Sequence, residues 1–156
     1  MLTNILSTIP FSPIQPFNER LERKPKSLHS SISLTYLGTA GFVFSGTNRT
    51  LVVDPYVTRP SLNQHLFTKL RSDETLVRKW IPNADDVLVG HAHHDHILDA
   101  PCVCQQTGAR LIGSEDVIRV GRAAGLPEGQ LLSTQGKEDI ECGAGNLIRG
   151  IPSAHG

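Results

Sequence analysis

Short alternations of apolar and polar residues begin at residue 31 and predict three strands. The segments SISLTYLG, GFVFSG and TLVVDP are rich in β-branched and aromatic residues, and turns at 39–40 and 48–49 separate them. This spacing predicts an antiparallel arrangement of the three strands. The third strand reaches Asp54, because Pro55 stops it.

Apolar residues at helical spacing follow, and strands and helices then alternate. Residues 61–79 predict one or two amphipathic helices. The run VLVG predicts a buried strand, ILDAPCVCQQTG a helix ended by Gly108, ARLIGS a strand, and SEDVIRVGRAAG a helix capped by Ser114 and Gly125. Residues 131–154 return to short strands. The alternation predicts an α/β domain in which helices cover at least one face of a sheet.

Length and composition indicate one domain preceded by an arm. The chain has 156 residues, which suits a single domain, and residues 1–30 hold four of its ten prolines. We therefore expect an N-terminal arm over 1–30 and the domain over 31–156. Fifteen basic and fifteen acidic residues balance to zero formal charge, without the basic excess of a general nucleic-acid binder.

Three cysteines are too few, and oddly numbered, for a disulfide framework. Cys102, Cys104 and Cys142 are predicted to be packed thiols in a reducing compartment. The chain does not open with a basic segment followed by a long apolar run, as a signal peptide would. Its longest uncharged run, 27–48, is interrupted by polar residues. We expect a cytoplasmic protein with no signal peptide, and we find no clear nucleic-acid or membrane signal.

Four of the seven histidines fall within residues 91–96, which also contain Asp95. Alternate residues of an extended segment point the same way, so H-x-H-x-D-H at a strand end or tight loop places His91, His93 and Asp95 on one side. Imidazole nitrogens with a carboxylate suit Zn²⁺, with Mn or Fe as substitutes, in one site or two adjacent sites. His94 has the opposite parity and is predicted not to bind metal.

The segment GHAHHDHILDAP resembles the H-x-H-x-D-H signature of the metallo-β-lactamase-fold hydrolases. LTYLGTAGFVFSGTNRTLVVDP resembles the opening strands of that family, and IPSAHG resembles the later strand-to-loop segment that delivers a third histidine. The GTAGF and DP elements are most similar to the branch that includes the ascorbate-phosphate lactonase and the N-acyl-ethanolamine phospholipase D-like enzymes. The resemblance implies that residues 31–156 form the N-terminal half of a metallo-β-lactamase αββα sandwich.

The same resemblance implies a role for each site residue. The implied metal ligands are His91, His93 and His155 for a first ion, and Asp95 and His96 for a second. Asp54 would support the ligand imidazoles from behind. A metal-activated hydroxide would be the nucleophile, and Asp95 would be the catalytic carboxylate that orients it or takes its proton. Two plainer interpretations stay open: Asp54 as a turn residue before a proline, and His155 as an exposed histidine.

Only the first half of that family's sandwich is represented. A complete member carries a later bridging Asp and a final His, so three explanations stay open: a piece of a longer product, a half that needs a partner chain, or a decayed remnant. We expect a metal-dependent hydrolase of a small ester, lactone or phosphorylated substrate, and we expect the isolated fragment to be inactive.

Two alternatives to this function stay open. One is a phosphodiesterase that acts on phospholipid or nucleic acid, and the other is a non-catalytic metal-binding remnant. The partners would be a small-molecule substrate and either the missing C-terminal half or a second copy of the chain.

Overall fold

The fold is built on a six-stranded sheet whose strands lie side by side in chain order. It comes from a computed structural model that describes residues 32–143 and 145–152. The strands of the sheet are β1 (Ser33–Gly38), β2 (Gly41–Ser45), β3 (Thr50–Val53), β4 (Asp86–Val89), β5 (Arg110–Gly113) and β6 (Leu131–Ser133). The arm predicted over 1–30 and the predicted ligand His155 lie outside the described residues.

The sheet is antiparallel at one end and parallel at the other. β1, β2 and β3 pair antiparallel, as predicted, whereas β3 to β6 run parallel. Val52 of β3 therefore stands between Val43 of its antiparallel neighbour and Val87 of its parallel one. The carboxyl ends of β3 to β6 meet at one edge of the sheet, and open α/β sheets bind their ligands at this edge.

Within the described part of the chain, five α-helices join the strands. They are α1 (Leu62–Phe67), α2 (Glu74–Trp80), α3 (His94–Ile97), α4 (Ala100–Thr107) and α5 (Glu115–Ala123). One or two helices were predicted over 61–79, and the structure has two, α1 and α2. Gly108 ends α4 in the left-handed conformation, as predicted. The C-cap of α5 is Ala124, not Gly125, which takes the left-handed position one residue later. None of these helices is long and apolar enough to cross a membrane.

Helices cover one face of the sheet and form the main core there. Wholly buried strand residues on this face include Val52, Val87 and Leu111. They belong to one cluster with helical residues that include Val77, Val103 and Val117. Burying a side chain of this size contributes about 1.5–3 kcal/mol. The predicted α/β class, with helices on at least one face, is confirmed.

A two-stranded hairpin covers part of the opposite face. Its strands are β7 (Asp139–Glu141) and β8 (Leu147–Arg149), which pair antiparallel. Ile140 and Cys142 are buried against Ile112 of β5. The hairpin therefore covers the β5 end of this face.

The β1–β2 end of the same face carries a row of apolar side chains that we call the open face, formed by Leu34, Tyr36, Phe42 and Phe44. Leu34 pairs directly with Phe44 across the strands, and Tyr36 pairs with Phe42 at 5.1 Å between ring centroids. Leu34 and Tyr36 are each about half exposed. A contiguous apolar surface of this kind is a contact site or an association hazard.

All three cysteines are free and buried, as predicted for packed thiols. Burial raises the pKa of the Cys102 thiol to about 11, and burial raises the pKa of Cys104 to about 12. Burial also raises the pKa of Cys142. Thiols that stay protonated at neutral pH are poor nucleophiles and poor metal ligands.

Candidate metal centre

The H-x-H-x-D-H segment begins where β4 ends, at the edge of the sheet where the parallel strands terminate. The chain bends over residues 90–93 before α3 starts. The ring centroid of His91 lies 4.5 Å from that of His93 and 4.0 Å from that of His96. Three of the predicted ligands therefore form one cluster of imidazoles.

The segment is not extended throughout, and this corrects the predicted geometry. His94–Ile97 forms a single helical turn, in which the backbone N–H groups of His96 and Ile97 both donate to the His93 carbonyl. Strand alternation therefore cannot place Asp95 on the same side as the first two histidines. Asp95 is instead partly exposed, with Oδ2 3.6 Å from Nε2 of His96.

Asp54 reaches the cluster from the end of β3. Its Oδ1 accepts a hydrogen bond from the Gly90 backbone N–H at 2.8 Å, and its Oδ2 lies 3.0 Å from Nδ1 of His96. The residue is buried and has a φ of 43°, a left-handed conformation that Asp tolerates better than most residues. One carboxylate therefore contacts both the start of the histidine segment and the ring of its last histidine.

The donor set fits a transition metal. Nδ1 of His96 is buried, and among the described residues it makes no well-aligned hydrogen bond, although the Asp54 carboxylate lies beside it. Clustered imidazoles and a nearby carboxylate are donors that Zn²⁺, Mn and Fe accept. Across residues 32–143 and 145–152, no three His, Cys, Asp or Glu side chains are arranged to hold an ion by themselves. His155 lies outside these ranges.

His94 takes part in a different set of contacts. Its ring stands edge-on to that of His65 on α1, at 4.9 Å, and to that of Tyr56 at 6.1 Å. Nothing in the sequence connects His65 with the histidine segment, because the two residues are 29 positions apart and lie on different elements. Helix α1 is therefore attached beside the candidate site through His94.

Tyr56 and Asp99 also border the site, and the sequence patterns do not single them out. Burial, with the charges of Asp95 and Asp99, raises the pKa of Tyr56, so its hydroxyl keeps its proton at neutral pH. Asp99 directly precedes the start of α4, where an Asp is expected to cap the helix. Its side chain makes no hydrogen bond that caps the helix. The carboxylate instead accepts hydrogen bonds from the loop after β3.

A second wholly buried carboxylate, Asp86, lies at the amino end of β4, away from the histidines. Its Oδ2 is 2.9 Å from Nη2 of Arg49, and its Oδ1 is 2.7 Å from Nε of Arg110. The hydrogen bond to Asp86 raises the pKa of Arg110. Asp86 on β4 therefore joins Arg49, just before β3, to Arg110 on β5, at the edge opposite the candidate site.

Comparisons with known proteins show which family the chain resembles. The family model described as "Beta-lactamase superfamily domain" matches residues 33–155. A UPF0173 metal-dependent hydrolase of Anaeromyxobacter dehalogenans (strain 2CP-C) is 32% identical over 108 residues, which cover 69% of this chain and 36% of that protein. The UPF0173 metal-dependent hydrolase THEYE_A0282 of Thermodesulfovibrio yellowstonii is 29% identical over 111 residues, covering 68% of this chain and 37% of that protein.

A solved structure has the same fold. Igni18, a metallo hydrolase from the archaeon Ignicoccus hospitalis, matches with a TM-score of 0.52 at 24% identity, over 70% of this chain and 42% of that chain. The chain spans little more than a third of the length of the two hydrolase relatives named above. The match of the family model over most of its length shows that the chain belongs to the beta-lactamase superfamily, with the metallo-β-lactamase fold.

Proposed function

We propose that this chain contributes the metal-binding loop of a metal-dependent hydrolase acting on a small ester, lactone or phosphorylated substrate. The observation that carries the proposal is the grouping of the His93 and His96 rings around His91, at the carboxyl edge of a parallel sheet. The relatives named as metal-dependent hydrolases support the same activity.

The proposed ligands are His91, His93 and His155 for one ion, and Asp95 and His96 for another. Zn²⁺ is the first choice, because imidazoles dominate the donor set, and Mn or Fe would be substitutes. When bound, the ion supplies a water whose pKa is lowered to about 7, which makes a nucleophile available at neutral pH.

The side chains around the ion orient the ligands and move protons. With the proton of His96 on Nδ1, which lies 3.0 Å from Asp54 Oδ2, the Nε2 lone pair is left for the metal. Asp95 is partly exposed beside His96 and would take a proton from the attacking water at its carboxylate. Asp95 is therefore the proposed catalytic residue.

One observation favours a second candidate, a phosphodiesterase acting on phospholipid. Helix α1 has no buried residue, and three of its apolar side chains, those of Leu62, Leu66 and Phe67, are more than half exposed. The contact between His65 and His94 places this helix beside the histidine segment. Hydrolysis that rises with the acyl chain length of the substrate, and falls in a Leu66→Ser variant, would support this candidate.

We further propose that the 156-residue segment does not hydrolyse substrate alone. Its relatives are nearly three times as long as the part matched, so the rest of the active site would come from a C-terminal half, in the same protein or in a partner chain. A non-catalytic metal-binding remnant is the alternative. The three free, buried thiols support a reducing, cytoplasmic location.

Metal binding by single-histidine variants tests the proposed centre. We expect His91→Ala and His93→Ala to lose most of the Zn²⁺ that the unaltered chain binds, and His94→Ala to keep it, because the His94 ring packs with His65 and Tyr56. Elemental analysis after dialysis measures the bound metal, and calorimetric titration measures the affinity. His65→Ala is the matched control.

Two results would contradict the proposed centre. One is an unaltered chain that binds no Zn²⁺, Mn or Fe above the level of a His91→Ala/His93→Ala double variant. The other is an equal loss of metal in all four single variants, since this would indicate a general effect on folding.

A further inference from the structure

Asp99 is wholly buried just behind the histidine segment, and the proposed reaction does not use it. Its Oδ2 accepts hydrogen bonds from the backbone N–H groups of Val57 and Thr58, at 2.7 and 2.8 Å. Its Oδ1 accepts a third hydrogen bond from the Thr58 hydroxyl at 2.5 Å. All three bonds reach the loop that follows β3, more than forty positions earlier in the chain.

Asp54 forms a matching link in the opposite direction. It belongs to the loop after β3 and reaches forward to Gly90 and His96. Asp99 belongs to the end of the histidine segment and reaches back to Val57 and Thr58. The two segments, 54–58 and 90–99, are therefore cross-linked by one buried carboxylate from each.

Tyr56 lies between these two links and packs against the ring of His94 at 6.1 Å. The link also extends to α2, because the Thr58 hydroxyl oxygen accepts a hydrogen bond from the Asp73 backbone N–H at 2.7 Å. Asp73 is the residue that caps α2. The helical turn His94–Ile97 therefore packs, through His94, against Tyr56, and Tyr56 belongs to the loop that Asp99 binds.

We propose that Asp99 is a positioning residue for the metal centre, which fixes the turn carrying Asp95 and His96 by tying it to the loop that carries Asp54. The inference rests on the proposed metal centre. The mechanical reason is that His96 is adjacent to both links: its Nδ1 lies 3.0 Å from Asp54 Oδ2, and Asp99 follows it three positions later in the chain. Releasing Asp99 would let the turn shift relative to Asp54, and metal ligands tolerate only small displacements.

An Asn at position 99 can keep both bonds from the backbone N–H groups and replace the hydroxyl bond by one of the opposite direction. Its amide oxygen can accept from the N–H groups of Val57 and Thr58, and its NH₂ can donate to the Thr58 hydroxyl oxygen, which rotates to accept. Asp99→Asn is therefore the conservative variant that keeps the position without the charge. Asp99→Ala removes the link entirely.

Asp86 provides a matched control. It is as buried as Asp99 and lies on the strand that leads to the same segment, but it holds Arg49 and Arg110 at the other end of β4. Asp86→Ala should lower the melting temperature without changing the metal affinity of the folded chain. Loss of metal affinity through general instability would appear in both variants.

The experiment is a Co²⁺ titration of the full 156-residue chain and its variants, followed by the visible d–d absorption of the bound ion and by thermal unfolding. We expect Asp99→Ala to lower Co²⁺ affinity by about 10–100-fold and to alter the absorption spectrum, as loss of groups that orient ligands does. Asp99→Asn should restore most of the affinity and the spectrum. If Asp99→Ala does not fold, Thr58→Val replaces it. This variant removes the hydroxyl bond to Asp99 and the bond that the hydroxyl oxygen accepts from the Asp73 N–H, but it keeps the two backbone bonds to Asp99, so we expect a smaller loss of affinity.

The outcomes separate the two proposals. An unaltered chain that binds no Co²⁺ overturns the proposed metal centre. An unaltered chain that binds Co²⁺, together with an Asp99→Ala variant of the same affinity and spectrum, overturns the positioning role alone. An affinity loss in Asp86→Ala as large as that in Asp99→Ala also overturns it.

Discussion

Asp54 has a distinct partner for each of its carboxylate oxygens. Oδ1 accepts the Gly90 N–H, and Oδ2 faces Nδ1 of His96. In Asp54→Asn the amide oxygen would keep the bond to Gly90, and the NH₂ group would then face Nδ1 of His96. The ring would move its proton to Nε2, which is the nitrogen that the metal needs.

We therefore expect Asp54→Asn to lower Zn²⁺ affinity by about 10–100-fold, as loss of a group that orients a metal ligand does. Calorimetric titration measures the change. Asp85→Asn is the matched control, since its carboxylate accepts the Thr50 N–H near the opposite edge of the sheet. An Asp54→Asn chain with unchanged Zn²⁺ affinity would indicate that Asp54 is only a turn residue before the proline.

The cysteines give a second prediction at this scale. Burial raises the pKa of the Cys102 thiol to about 11 and that of Cys104 to about 12, so both stay protonated until the pH approaches those values. Iodoacetamide attacks the thiolate, and we expect almost no alkylation of either residue in the folded chain at pH 8. Mass spectrometry of folded and denatured samples checks this, and rapid labelling of Cys104 in the folded chain would contradict it.

At the scale of elements, Gly121 determines how closely α5 approaches the sheet. A Cβ added there would lie 2.5 Å from Leu111 Cδ2 and 2.9 Å from Leu131 Cδ2. We expect Gly121→Ala to destabilise the fold, because overpacking costs about 1–3 kcal/mol, which outweighs the roughly 1 kcal/mol gained in helix propensity. Denaturant unfolding measures the change in the free energy of unfolding.

Gly129→Ala is the control for that measurement, because no atom lies within 4 Å of an added Cβ at position 129. Its free energy of unfolding should stay close to that of the unaltered chain. A Gly121→Ala chain as stable as Gly129→Ala would show that α5 can move away from the sheet at little cost.

Elements defined by local patterns could be predicted from the sequence, and contacts across the chain could not. The alternation in β1 to β3 and the glycine at 108 follow from neighbouring residues. The turn His94–Ile97 is only four residues long, too short for a helical period to appear. The bonds from Asp99 to Thr58 and the contact of His65 with His94 join residues 29 to 41 positions apart, so only the folded chain brings them together.

At the scale of the whole molecule, the open face is an apolar surface at the β1–β2 end of the sheet. Leu34 and Tyr36 are each about half exposed there, and β1 is also an edge strand of the sheet. Exposed apolar strands at a sheet edge promote association. We therefore expect the 156-residue chain to self-associate at micromolar concentration.

Sedimentation velocity measures this association. We expect Leu34→Lys to shift the chain towards the monomer, because a charge on the open face opposes contact between copies. Phe67→Lys is the matched control, since Phe67 is more exposed but lies on α1. A monomeric unaltered chain, or equal dissociation by Phe67→Lys, would contradict a role for the open face.

The agreement between chain order and sheet order has a consequence for synthesis on the ribosome. From β2 to β6, the partner that each strand pairs with has already been made when that strand emerges. Translation delivers about 5–20 residues per second, which is slow beside the formation of a hairpin in about 1–10 μs. The antiparallel pairs β1–β2 and β2–β3 can therefore form while the later strands are still being made, and each parallel strand that follows meets an edge that already exists.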